Sequence, residues 1–162
     1  MILGMSLSTF TLLHVALSLI GIASGLVVLA GWLRSQPQGG VAAIFLATTV
    51  LTSVTGFFLP FDRLLPSHIV GILSLVVLVI ALTALYGMQL IGPWRWIYVV
   101  TAHIALYLNV FVLVVQVFLK VPALHALAPT QKEPPFGIAQ GLVLLVFVAI
   151  GFLAVRRFRP AR

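Results

Sequence analysis

Residues 9–33 have the sequence TFTLLHVALSLIGIASGLVVLAGWL, which contains no Lys, Arg, Asp or Glu. An α-helix crosses the hydrocarbon core of a bilayer with about 20 apolar residues, so this stretch is long enough to span a membrane. Backbone polar groups in lipid must bond within the chain, and a helix satisfies them. The stretch predicts a membrane-spanning helix over about residues 8–33, retained rather than cleaved as a signal peptide.

The rest of the chain is also strongly apolar and carries few charges. It has 162 residues, of which 62% are hydrophobic and 7% charged, whereas a soluble domain would carry roughly a quarter charged residues. Short gaps rich in Pro, Gly or polar residues separate the apolar runs, so neighbouring helices should be antiparallel. We therefore expect an all-α membrane protein of one domain, residues 1–162, an antiparallel bundle of five transmembrane helices at about residues 8–33, 41–59, 66–90, 94–119 and 137–155.

The cations predict an orientation. Five spans put the termini on opposite sides, and we call the side of the N-terminus side A and the other side B. Side A carries three cations and side B carries the other six, which are Arg34, Arg95, Arg156, Arg157, Arg159 and Arg162. Because cytoplasmic loops carry the excess of Lys and Arg, we expect side B to be cytoplasmic and the N-terminus to lie outside. An aromatic belt at side B is expected from Trp32, Trp94, Trp96 and Tyr98.

The net charge of +7 would suggest nucleic acid binding in a soluble protein. Here the cations flank apolar runs, so topology and lipid headgroups account for them, and the expected partner is the lipid bilayer, with no nucleic acid. The absence of Cys excludes thiolate metal sites and thiol chemistry.

Small residues indicate how the first helix packs. His14, Ser18, Gly21 and Gly25 share one stripe at about 100° per residue, which places His14 on the packed face. The Gly21-x-x-x-Gly25 pair allows close helix contact. That contact could form a homo-oligomer, join a larger membrane complex, or lie inside the bundle, and the sequence leaves these alternatives open.

The second and fourth spans are the most polar. The second carries five hydroxyls, which favour helix packing over a conduction path. The fourth carries Asn109 and Gln116 on one face and His103 and Tyr107 on nearly the opposite face. Polar groups in hydrocarbon cost free energy unless they have partners. We therefore predict protein on both faces of the fourth span and expect it to be the most buried.

Ionisable groups collect at side A. The only acids, Asp62 and Glu133, lie in side-A gaps, and His14 lies about five residues, roughly 7–8 Å of helical rise, inside that end. Imidazole and carboxylate ligands suit zinc or copper(II), so one hypothesis is a divalent metal site formed by His14, Asp62, His68 and His125. A second is haem b with His14 and His68 as axial ligands. The alternative is structural, with His68 and Asp62 bracing their turn and His14 bonding a neighbouring helix.

A third hypothesis is a transport path lined by His14, His103, Tyr107, Asn109 and Gln116. No carboxylate lies within a span, which disfavours a proton pump. The chain has no G-x-S-x-G and no H-E-x-x-H motif, which disfavours a hydrolase. The sequence thus favours a non-enzymatic membrane component, either a partner of a larger complex or a small-solute carrier. The alternative is a haem- or metal-binding redox protein that uses the side-A histidines.

Three stretches carry a resemblance: TGFFLPFDRLLPSHIVGI (55–72), WRWIYVVTAHIALYLNVFVLVVQ (94–116) and KVPALHALAPTQKEPPF (120–136). They resemble a group of small five-span bacterial membrane proteins with no established activity, over most of residues 45–160. The resemblance implies a multi-pass protein of the bacterial inner membrane.

Overall fold

The computed structural model describes residues 2, 4–36, 39–59 and 66–159. These residues form helices and no strand, and five of the helices are long and apolar enough to cross a membrane. The predicted all-α membrane fold is therefore confirmed. The helices are α1 Leu7–Leu33, α2 Gly39–Gly56, α3 Pro66–Leu82, α4 Trp94–Lys120, the short α5 Pro122–Leu127, and α6 Pro134–Arg157.

The structure departs from the sequence-based spans most clearly in two places. After Leu82 the chain makes one π-helical turn, Thr83–Gly87, so the third helix stops before residue 90. Gln89 and Leu90 then have positive φ angles of 48° and 58°, a left-handed conformation that cannot continue an α-helix. The other difference is α5, which interrupts the long side-A loop between residues 120 and 136. Its first residue, Pro122, has a fixed φ that suits a helix start.

Helix α4 occupies the centre of the bundle, because it contacts α1, α2, α3 and α6. The prediction of protein on both of its polar faces is confirmed. The prediction that it is the most buried span is wrong. In the most apolar stretch of each helix, 33% of residues are buried in α2 and 28% in α4. The reason is that residues 107–117 of α4, in its side-A half, are only partly covered.

The glycines of α1 are enclosed by the protein's own helices. A Cβ added at Gly25 would lie 2.6 Å from Leu106 Cδ1 of α4 and 2.9 Å from the Phe45 ring of α2. One added at Gly21 would lie 3.2 Å from Thr49 Oγ1. The predicted stripe therefore faces the bundle, and the close helix contact that these glycines permit is made within the chain.

The apolar core occupies the half of the bundle nearest side B. Its fully buried members come from the side-B ends of the five spanning helices, for example Trp32, Phe45, Leu78, Leu106 and Ala154.

The aromatic belt predicted at side B is only partly present. Trp32 and Tyr98 are each 2% exposed and pack edge to face, with ring centroids 5.5 Å apart, so they belong to the core. Phe158 covers Trp32 from the C-terminal segment, with ring centroids 6.2 Å apart. Trp96 points outward and is 46% exposed, as a belt residue should be.

Candidate functional site

A cavity of about 550 Å³ lies between the side-A halves of α1, α2, α3 and α4. It extends from the exposed side-A end of α4 toward the middle of the bundle. Apolar side chains form most of its wall, and polar side chains from all four helices interrupt it. The polar lining residues are Thr11, His14, Ser18, Thr52, Ser53, His68, Ser74, Asn109, Gln116 and Lys120.

His14 is half-buried in this cavity and bonds to α2. Its Nδ1 lies 2.8 Å from Thr55 Oγ1, and the Thr55 hydroxyl donates its proton to Leu51 O at 2.7 Å. Since Thr55 has no second proton, we assign Nδ1 as the donor to Thr55. The neutral ring then carries a lone pair on Nε2, for which no described residue is a hydrogen-bond partner. The prediction that His14 lies on the packed face of α1 is confirmed.

The hydroxyls of α2 divide into two kinds. Thr48, Thr49, Ser53 and Thr55 each donate to a carbonyl one turn earlier in their own helix, at 2.7–2.9 Å, which is the helix-packing role expected of them. Thr52 differs: it is 8% exposed, and its Oγ1 has no hydrogen-bond partner among the residues that the structure describes. A buried hydroxyl in this state costs free energy, and Thr52 is one of the residues that line the cavity.

The α3 wall brings a hydroxyl and an imidazole to the cavity. Ser74 is 3% exposed, and its Oγ lies 3.0 Å from Ser53 Oγ of α2. His68 is 6% exposed and packs against the Phe57 ring, with ring centroids 5.8 Å apart.

The α4 wall presents three polar residues on one face. Asn109, Gln116 and Lys120 recur at helical spacing, and Asn109 Nδ2 makes a long bond of 3.4 Å to Thr49 Oγ1. The sequence predicted that the first two share a face, but the predicted span ended at residue 119 and left Lys120 in the following loop. Lys120 lies four residues after Gln116, and this helical spacing was the signal that could have identified it. No sequence feature distinguished Thr52 from the other hydroxyls of α2.

The predicted metal ligands are not all brought together. His14 and His68 line the same cavity, whereas His125 is exposed on α5 and does not line it. Asp62 lies outside the described residues. Among the residues that are described, no group of three or more His, Asp or Glu residues could hold a metal ion. The use of His14 and His68 as ligands of haem or metal remains a prediction.

The predicted transport path is divided between two places. Asn109 and Gln116 face the cavity with His14, but His103 and Tyr107 line a separate apolar groove of about 340 Å³ between α4 and α6. His103 Nε2 lies 2.9 Å from Phe147 O, and its buried Nδ1 has no partner among the described residues. His103 therefore joins α4 to α6 and does not extend the cavity.

Glu133 lies outside the cavity, in the loop before α6. Its carboxylate accepts hydrogen bonds from the Thr130 hydroxyl at 2.8 Å and from the backbone N–H groups of Thr130 and Lys132. These bonds, that of the Thr130 hydroxyl first, hold the pKa of Glu133 below its ordinary value. The carboxylate is therefore ionised at neutral pH and braces its own loop.

Among the described residues, the cavity is thus a mostly apolar site with hydrogen-bonding groups and one cation. No family model matches this chain, and neither does any curated protein or solved structure.

Proposed function

We propose that this chain is a multi-pass membrane protein that binds a small solute in the side-A cavity, as a carrier or binding component rather than as an enzyme. The observation that carries the proposal is the convergence of polar side chains from four helices on one cavity within the spanning region. Such groups cost free energy in hydrocarbon unless they have partners. Thr52 is one of them, and its Oγ1 has no hydrogen-bond partner among the described residues.

The composition of the wall also supports binding. Small-molecule sites are usually concave, mostly apolar, and carry a few placed polar groups, with volumes of about 300–1,000 Å³. The side-A cavity has each of these properties, and its volume of about 550 Å³ lies within that range.

The proposal is tested by thiol labelling, because the chain has no Cys of its own. Gln116→Cys places a single thiol near the mouth of the cavity. Asn109→Cys places a single thiol deeper, about 16 Å from Lys120 along the helix axis by helical rise. A water-filled cavity should let both react with charged, membrane-impermeant methanethiosulfonate reagents, since reaction requires a thiolate in water. We expect the Gln116→Cys thiol to react faster than the deeper one.

Lipid-facing thiols at matched depth are the controls. Ile138 and Leu145 of α6 are 61% and 67% exposed on the bundle surface, at the same distances from the side-A end of their helix. Ile138→Cys should react much more slowly than Gln116→Cys, and Leu145→Cys should react much more slowly than Asn109→Cys. If Asn109→Cys reacted no faster than Leu145→Cys, the cavity would not be open to water and the proposal would fail.

We further propose that the membrane is the bacterial inner membrane, with side A facing the periplasm. The support is the excess of cations at side B and the resemblance of residues 45–160 to bacterial membrane proteins. In intact cells, an impermeant reagent should then label Gln116→Cys from outside. Labelling only after the cells are broken would reverse the orientation.

A second candidate function is haem or metal binding by His14 and His68. It is favoured by the bond from His14 to Thr55, because histidine ligands usually donate their other ring N–H to a neighbouring group. The purified protein should then show a Soret band or stoichiometric metal. If neither were found, or if a cofactor persisted in both His14→Ala and His68→Ala, this assignment would be wrong.

A further inference from the structure

Among the described residues that line the side-A cavity, Lys120 is the only charged one, and no described Asp or Glu is among them. No described lining group therefore carries the negative charge that would bind a positive solute. A single ammonium at the mouth instead attracts anions and repels cations.

Lys120 is available for such a role. It is exposed at the last turn of α4, and no ion pair joins it to any residue that the structure describes. Its long side chain can place the ammonium at the membrane surface while its methylene groups stay against the apolar wall.

Deeper in the cavity, hydrogen-bonding groups alternate with apolar ones. Among the described residues, the buried Thr52 Oγ1 has no hydrogen-bond partner, and the Asn109 amide has only its long bond to Thr49. Between these groups and the mouth, Val112 and Leu113 of α4 and Val15 of α1 line the cavity. The wall therefore suits a solute that has an apolar body.

From these three features we propose that the solute is an organic anion, of the carboxylate class with an apolar body, held at its charged end by Lys120. This inference rests on the proposed function and names the class of solute that the same cavity takes. The carboxylate can come from the water on side A or from a fatty acid in the bilayer.

The charge preference is measurable with two reagents of opposite charge. Asn109→Cys in lipid vesicles is labelled with sulfonatoethyl and with trimethylammonioethyl methanethiosulfonate, each rate being divided by the rate with a small free thiol. We expect the anionic reagent to be favoured by about tenfold or more at low salt, a typical electrostatic enhancement in a charged cleft. When Lys120→Gln is added, the ratio of the normalised rate of the anionic reagent to that of the cationic reagent should fall close to one.

Lys132→Gln is the matched control, because it removes an exposed side-A cation that does not line the cavity. It should leave the ratio unchanged. If the two reagents reacted with Asn109→Cys alone at equal normalised rates, the inference would be overturned. It would also be overturned if Lys120→Gln and Lys132→Gln changed the ratio equally. Either result would leave the proposed function standing. Failure of Asn109→Cys to react with either reagent would instead contradict the proposed function itself.

Protection by a candidate solute gives a second readout. Octanoate should slow the reaction of Asn109→Cys with uncharged methyl methanethiosulfonate, and octyltrimethylammonium should not. If the slowing of the reaction depends on the aqueous concentration of octanoate, the solute enters from water. If it depends on the octanoate-to-lipid ratio, the solute enters from the bilayer. Equal protection by both amphiphiles, or protection that survives Lys120→Gln, would overturn the assignment.

Discussion

Gly25 lies where α1 packs closely against both α2 and α4. Leu106 and Phe45, which lie beside it, are both fully buried. Association of helices in lipid depends on close van der Waals packing, so the missing side chain at this position is what permits the contact.

Gly25→Ala should therefore destabilise the bundle by about 1–3 kcal/mol, the usual cost of overpacking a tight core. Gly141→Ala is the matched control in α6, because an added Cβ there has no neighbour within 4 Å. It should be neutral or slightly stabilising, since Ala favours helix more than Gly does. Unfolding by SDS in mixed micelles measures both, and equal midpoints would contradict the packing argument.

Of the five spanning helices, α6 is the least buried, with 11% of its most apolar stretch buried. Polar contacts with α4 therefore matter more for it. Gln140 Nε2 donates to Phe111 O at 3.1 Å, and His103 Nε2 lies within hydrogen-bond distance of Phe147 O. At the side-B end, Arg95 Nη1 donates to Val155 O at 3.0 Å and to Phe158 O. These last carbonyls lack partners within the helix, and a cation beside them also favours the helix dipole.

Arg95→Met should loosen the C-terminal end of α6 by about 1–3 kcal/mol, the range for a hydrogen bond to a charged group. Hydrogen exchange of the backbone amides between residues 152 and 158 should accelerate, while that of α2 stays unchanged. Arg157→Met removes a cation from the same helix end that makes no hydrogen bond or ion pair with the described residues. Equal acceleration in both variants would mean that charge alone, and not the Arg95 contacts, holds this end.

At the scale of the whole molecule, packing is asymmetric along the membrane normal. The side-B half contains the apolar core, closed by Trp32, Tyr98 and Phe158, and Arg159 N donates to Ser35 Oγ at 2.8 Å across that end. The side-A half contains the cavity. A bundle that is closed at one end and open at the other suits a solute that enters and leaves from side A.

This asymmetry predicts a difference between two leucines of α4. Leu106 is 0% exposed in the core, so Leu106→Ala should cost about 2 kcal/mol or more because it leaves an enclosed void. Leu113 lines the existing cavity, and Leu113→Ala should cost less than about 1 kcal/mol because it only widens that space. The same SDS unfolding assay compares them, and similar losses of stability would show that both halves are packed alike.

Much of the fold could be predicted from the sequence. The number of spans follows from length and apolarity, because a backbone in lipid has to be helical. The inward stripe of α1 followed from the small residues Gly21 and Gly25, and the two covered faces of α4 followed from its polar residues. Part of the candidate site was also predictable, since His14, Asn109 and Gln116 were expected to face protein.

The class of protein, its five spanning helices and the faces marked by small or polar residues can therefore be read from the chain alone. Packing in three dimensions places Trp32 and Tyr98 inside, turns His103 toward α6, and brings Lys120 to the same cavity as His14 and Thr52. These contacts could not be predicted because lipid is as apolar as a protein core. An apolar helix face gains little free energy from packing against another helix rather than against lipid. Its composition therefore does not indicate which of the two it contacts.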